Sequence, residues 1–527
     1  VFRQKRFAAV LAALLVLPGC VSSSPESSSS TAESEAQDGG HFADSSIFTD
    51  GFGRIKDVSL VKEDFGKLTL DGLKGLSKLD DTLTARRDGD HVQLVRSGHV
   101  IADFEAPGPD AAYDWGYLVS SSLDAAALAS PKVAGAGVEA VYQQVYDSLL
   151  ADFDPYSRYL NPDRAREDRA RRDGYDGVGI ALMQDDKGRP VIADVFPDTP
   201  AAHANMLKGS LIVAVDGVSV TDAKVDEVVT LMRGVAKTKV DLTVIEPNGR
   251  GRAVTLTREH VIENTARAQV RDNVVIIQLS RFNSTSAADV RTALTGQLHG
   301  LAGRARGVIL DLRGNPGGPL DQSVTLAGLF MDRGPIISTR GRSSDSDRSY
   351  SAPGEDITNH LPLAVLVDGH SASAAEVTAA ALQDSNRAIL VGSTSFGKGS
   401  VQTVSSLRND AELLLTWSRI YAPSGYTWHR QGILPNVCTS NGNMTDPKAV
   451  IQAFSAGQLP RPADFAADRR AAPDDEAALR RIRAVCPWQV HDDDLDVSVA
   501  LDLIGDAGLY AQALGDREPH AVVARTP

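Results

Sequence analysis

The chain is poor in cysteine. It has three in 527 residues and no Cys-x-x-Cys pair, which excludes a cysteine-based zinc site. It is also short of positive charge: 54 Lys and Arg stand against 68 Asp and Glu, a net charge of −14. That balance argues against nucleic acid or an anionic lipid surface as the main partner. No internal repeat is found, and the apolar run Phe7–Leu17 is too short to span a bilayer as a helix. What remains is ordinary globular composition, 42% apolar and 23% charged, over a length that calls for about three folded units.

Residues 1–20 form an export signal: Arg3, Lys5 and Arg6 precede the apolar run. The run ends in Leu17-Pro18-Gly19-Cys20, which resembles a bacterial lipobox. The expectation is a lipid on Cys20 that anchors the mature chain to the membrane of the cell envelope, facing the periplasm. Cleavage without lipidation is the alternative. Residues 21–47, rich in Ser, Glu and Ala, cannot bury enough surface to order themselves. They form a tether with a root-mean-square reach of roughly 30 Å.

Residues 48–173 read as a mainly helical region. Strand-like pieces lie at His91–Val95 and Val100–Phe104, and Val138, Val141, Tyr142, Val145 and Leu149 form a helical stripe carried up to Pro155. Residues 174–260 change to short strands and turns with one helix at Val225–Arg233, a small β module. From 261 to 445, continuous apolar runs (Val274–Leu279, Val308–Leu312, Leu363–Val367, Ala388–Val391) alternate with helical segments. This is the pattern of an α/β core whose strands are buried on both faces. Residues 446–527, rich in Ala, Asp and Arg, read as a helical and peripheral extension.

Two stretches carry chemistry. Gly392-Ser-Thr-Ser-Phe-Gly397-Lys398-Gly399-Ser400 falls one residue short of a phosphate-binding loop, which needs a hydroxyl directly after its lysine; here that residue is Gly399. The second stretch is Asp368-Gly369-His370-Ser371-Ala372-Ser373-Ala374-Ala375-Glu376, where a buried strand turns into a helix. A serine there has helix N–H groups behind it that stabilise an oxyanion, or it simply caps the helix. Within the stretch, Gly369-His370-Ser371-Ala372-Ser373 has serine where the Gly-x-Ser-x-Gly elbow needs its second glycine. His370 is too close in sequence to serve readily as its base, and His429 is the other histidine considered. A lysine serves if burial lowers its pKa to roughly 7–8. Lys398 has no acidic residue between Gly392 and Leu407, and Gln402 offers a neutral amide to orient its amine.

These stretches resemble the carboxyl-terminal processing peptidases, or tail-specific proteases. In that family Ser-Ala-Ser-Ala-x-Glu carries the nucleophile at its second serine and Phe-Gly-Lys-Gly carries the lysine. The resemblance implies a multidomain α+β chain with a crotonase-like α/β peptidase core. Ser373 would be the nucleophile, Lys398 the base and Gln402 the third member. Leu310-Asp311-Leu312-Arg313-Gly314-Asn315-Pro316-Gly317-Gly318 resembles the family's Gly-rich loop. By that match Gly318, Gly317 and Ala374 supply oxyanion N–H groups, and Asp384 supports the site from Gln383-Asp384. Asp154-Pro155-Tyr156-Ser157 resembles the stretch before the family's PDZ domain. Gly177-Val178-Gly179-Ile180 resembles a PDZ carboxylate-binding loop, with Val178 and Ile180 lining an apolar pocket. The function implied is a serine endopeptidase acting on exported, unfolded or tail-exposed proteins with apolar ends, with an adaptor protein as a further candidate partner. No metal or cofactor is needed. A non-catalytic PDZ scaffold is the alternative. Cys438 and Cys486 are either one disulfide or two buried thiols.

Overall fold

The computed structural model describes residues 46–442, 445–490 and 494–515. The signal segment, Cys20 and nearly all of the tether lie outside the described residues.

The peptidase region is built on a six-stranded sheet. Its order is Ala266–Arg271, Val274–Leu279, Gly307–Asp311, Leu363–Val367, Ile389–Gly392 and Val437–Cys438. The first pair is antiparallel and the rest run parallel. The apolar runs divide by strand periodicity between two cores. Val275, Ile277, Leu310, Val365 and Leu390 face helices Ser286–Leu301, Leu320–Gly328 and Ala374–Asp384. Ile276, Ile309, Leu366, Ile389 and Val391 face the opposite way. That second face is covered by the C-terminal helices Pro447–Ser455, Leu495–Gly505 and Ala507–Leu514, through Val450, Phe454, Val499 and Leu503, each 0–1% exposed. The C-terminal segment is therefore helical, as expected, but not peripheral. Its apolar residues are few in a polar sequence, yet they fall at helical spacing and suffice to cover one sheet face.

An antiparallel sheet lies beside the first, in the order Arg348–Ala352, Gly334–Gly341, Glu412–Tyr421 and Ser400–Ser406. Arg158–Leu160 joins it along Glu412–Leu414, which brings the Asp154–Ser157 turn next to the lysine loop. The N-terminal region packs helices Ser46–Val58, Phe65–Lys74, Ala112–Ala129 and Val138–Leu149 with a three-stranded sheet, Leu83–Asp88, His91–Arg96 and His99–Glu105. The helix after Val138 stops at Leu149, short of Pro155, and a turn fills the gap.

The small β module orders its strands Gly251–Thr257, Lys239–Ile245, Leu211–Val215, Pro190–Val195 and Ile180–Gln184 around its own core. One antiparallel pair, Tyr175–Gly177 with Glu259–Val261, closes it at the base. Cys438 and Cys486 are joined as a disulfide.

Candidate active site

Strand Leu363–Val367 delivers the chain into a tight loop. Asp368, fully buried, accepts from the N–H groups of Gly314, His370 and Ser371 through Oδ1. Ser371 is spent in the same knot, donating its hydroxyl to Leu312 O at 2.8 Å and receiving Asp368 N–H. Ser373 follows in the N-cap position of helix Ala374–Asp384, with φ 54° and ψ −113°. An ordinary N-cap residue is extended. A left-handed backbone at a non-glycine residue costs about 1–3 kcal/mol and persists only where its surroundings impose it.

What imposes it is Glu376. Its side chain is fully buried, and Oε2 accepts from Ser373 N–H at 2.8 Å and from Lys398 N–H at 2.8 Å. Oε1 accepts from Gly397 N–H at 2.7 Å and from the Ser395 hydroxyl at 2.6 Å. One carboxyl thus ties the serine loop to the lysine loop. Burial pushes its pKa up to about 7 against the opposing pull of those four donors. Glu376 closes the Ser-Ala-Ser-Ala-x-Glu stretch, and the sequence alone implies no role for it. Its signal was a glutamate at the third position of a helix whose cap residue is serine.

The Lys398 amine is brought down to about 8, first by burial and then by the nearby Arg158. Glu376, Asp154 and Asp168 pull the other way without prevailing. Its Nζ lies 5.0 Å from the centroid of Tyr156. The amine is therefore not free of carboxylates, as the sequence reading requires; burial outweighs their pull. A carboxyl is close, but it is occupied with backbone N–H groups and is itself only partly charged near neutral pH. Gln402 stands on strand Ser400–Ser406 and donates to Ser400 Oγ at 3.2 Å and Thr416 Oγ1 at 3.1 Å. Thr416 in turn donates to Asp154.

The Gly-rich loop packs against the serine. A Cβ on Gly317 would sit 2.7 Å from Ala372 O and 2.8 Å from Ser373 Cβ, and one on Gly318 2.2 Å from Phe282 O. Only glycine permits this approach. Gly317 N–H is given to Asn315 Oδ1 at 2.9 Å, so Gly317 is not an oxyanion donor, which corrects the expectation. The N–H groups of Gly318 and Ala374 have no partner among the described residues. Asp384 is corrected too. It ends the helix that Ala374 begins, roughly 15 Å away at 1.5 Å per residue, and accepts from Ser424 N–H.

The rival readings lose their geometry. After Lys398 the chain enters a strand, Ser400–Ser406, where a phosphate loop requires a helix N-terminus. His370 is exposed and lays its ring against Trp488 at 5.5 Å. His429 is held neutral, its pKa lowered to about 3 by burial and by Arg419 and Arg430. In the β module, Gly179 has φ 80° and abuts Thr199. Gly177 closes the basal strand pair, and Val178 and Ile180 belong to the module's core. Strand Ile180–Gln184 pairs only with Pro190–Val195 among the described residues, which leaves its other edge open.

Residues 273–439 match the model of peptidase family S41, and residues 166–245 match that of the PDZ domain. The carboxy-terminal-processing protease of Bartonella bacilliformis is 33% identical over 298 residues, 56% of this chain and 68% of that one. The carboxyl-terminal-processing protease of Synechocystis is 33% identical over 307 residues, 56% and 70% of the two chains. The solved structure of a photosystem II D1 C-terminal processing protease aligns over 75% of this chain and 92% of the other, at 25% identity and a TM-score of 0.38.

Proposed function

The chain belongs to the carboxyl-terminal processing proteases, serine peptidases of family S41 that carry a PDZ domain, and from that premise we propose that it hydrolyses peptide bonds through an acyl-enzyme formed on Ser373. Neutral Lys398 takes the Ser373 proton as Oγ attacks the carbonyl carbon. The carbonyl oxygen, now negative, is met by the Gly318 and Ala374 N–H groups. The C–N bond then breaks as Lys398 returns the proton to the leaving amine, and water hydrolyses the ester with Lys398 again as base. The observation that carries this reading is Glu376 Oε2, which accepts the N–H of both Ser373 and Lys398 and so fixes the two loops side by side. Gln402 keeps its side-chain oxygen available to the amine while its nitrogen is anchored elsewhere.

The substrates are unfolded or tail-exposed exported proteins with apolar C-terminal ends. The open edge of Ile180–Gln184 takes the tail as an added strand, with the Gly177–Ile180 loop at its carboxylate. An adaptor protein that presents substrates is compatible with this arrangement. The residues around Cys20 support an envelope protein anchored by a lipid; mass spectrometry of the mature N-terminus decides between a lipidated Cys20 and plain cleavage. The enzymatic reading is tested by incubating purified protein with an unfolded substrate ending in apolar residues. Wild type cleaves it, whereas Ser373→Ala and Lys398→Ala do not. Equal cleavage by Ser373→Ala removes the proposal. No cleavage by any form, with tail binding intact, favours the non-catalytic scaffold.

A further inference from the structure

The C-terminal segment reaches the site itself. From Cys486 it runs as a strap across both reactive loops. Gly369 N–H donates to Gln489 O at 2.7 Å, and the indole N–H of Trp488 donates to Gly369 O at 2.6 Å. The Ser393 hydroxyl donates to Gln489 O at 2.7 Å, and the Thr394 hydroxyl to Cys486 O at 2.6 Å. The strap and the helix before it, Glu476–Val485, close one side of a cavity of about 430 Å³. On the other side stand Phe396 and Gly397 of the lysine loop and Tyr156, the ring that faces Lys398 Nζ.

The lining is of two kinds. Tyr156, Phe396, Leu479 and Trp488 are apolar or aromatic, and Phe396 and Trp488 remain 40% and 46% exposed. Large exposed apolar side chains converging on a concave site mark a place for an apolar ligand group. Arg430 and Arg483 complete the lining. Arg430 pairs with Glu476. Arg483 donates only to the backbone carbonyls of Arg430 and Phe396, and no carboxylate pairs with it among the described residues. Those carbonyls leave its positive charge without a counter-ion among the described residues.

We infer that this cavity is a substrate subsite, walled in part by residues beyond the S41 match, that takes a bulky apolar side chain of the scissile peptide with a carboxylate beside it. Trp488 sets the apolar preference and Arg483 the preference for the neighbouring carboxylate, whether from an acidic side chain or from the free end of the peptide. The inference rests on the Ser–Lys reading above, and the test separates the two.

The probes are internally quenched peptides with Phe or Ala at one position and Glu or Gln next to it, set on each side of the cleaved bond in turn. A further pair ends beside the Phe as a free acid or an amide. Ser373→Ala is run first; if it cleaves, the Ser–Lys reading fails, whatever the subsite does. With that control silent, wild type prefers Phe over Ala in kcat/KM by about tenfold or more, the range that one apolar side chain supplies in a pocket. Trp488→Ala collapses this ratio and Trp488→Phe, which keeps an aromatic ring, restores most of it. Arg483→Gln leaves the Phe preference and abolishes the advantage of the carboxylate; the Glu and free-acid arms tell which source it reads. Equal losses on all peptides would show a wall that only supports the loops, and unchanged ratios would show an unused cavity. Either result overturns the inference.

Discussion

Two regions flank the catalytic core, and they are attached to it in opposite ways. The PDZ module has its own buried centre, Val178, Ile192, Ile212, Val240 and Leu242 among others, and is closed at its base by one short strand pair. The C-terminal helices have no centre of their own against the sheet; they share one with strands Val274–Leu279, Gly307–Asp311 and Leu363–Val367. A buried ion group reinforces them, since Arg313 of the Gly-rich loop contacts both Asp311 and the fully buried Asp496. The module easiest to recognise is the least coupled to the core, and the segment hardest to recognise is part of it. Motifs record a surface that must meet a partner, whereas covering a sheet face needs only apolar side chains at helical spacing.

The sharpest way to break this contrast is truncation after residue 445. It strips one face of the sheet, and the expected result is loss of cooperative unfolding by circular dichroism and calorimetry, together with loss of all activity. Next comes Cys438→Ser, which opens a link across 48 residues of sequence and is expected to cost about 4 kcal/mol in denaturant titrations by loop-closure entropy. Lys398→Met acts in the other direction. The unfolded amine holds its proton up to a pKa of 10.5 and the folded one only to about 8. Burying the amine therefore weakens the fold by its full amount below pH 8, and the penalty fades as pH rises toward 10.5. Removing it stabilises the protein at pH 7 by about 3 kcal/mol, while peptidase activity disappears. The same sign governs wild-type kinetics: kcat/KM rises with pH and levels off above about 8. The smallest effect on stability is expected from excising residues 178–258 and joining Gly177 to Glu259, which already face each other in register, by a short glycine linker. The core should keep its melting temperature within a few degrees, less than about 1 kcal/mol, and should still cleave a tail-less peptide. Only its preference for tail-bearing substrates should vanish. A core that unfolds on excision, or one that survives the C-terminal truncation, would reverse the contrast.

The same division explains what could be read from the sequence. Leu363–Val367 and Val274–Leu279 are legible as strands because every residue but the exposed Gln278 is apolar, and the structure buries alternate residues in two cores. Leu83–Asp88 escaped notice because Arg86, Arg87 and Asp88 are exposed and give no apolar signal. The candidates Ser373 and Lys398 stand out in the sequence because both lie in motif-bearing loops. Glu376 was not assigned, because its task is to receive N–H groups from a loop more than twenty residues away, a contact that local spacing does not encode. The expectation for Gly317 failed because Asn315, two residues earlier, folds back to take its N–H. That for Asp384 failed because sequence proximity along a motif was carried over without the rise of the helix between.

Glu376 also has a mechanical consequence. Because one side chain clasps the Ser373 amide and the Lys398 amide, the two loops that carry them cannot be displaced independently. A peptide that pulled on either would drag the other with it, so seating a substrate acts on the pair as a single lever. An inhibitor that merely shifts the lysine loop by a fraction of an ångström should disarm the serine without touching it.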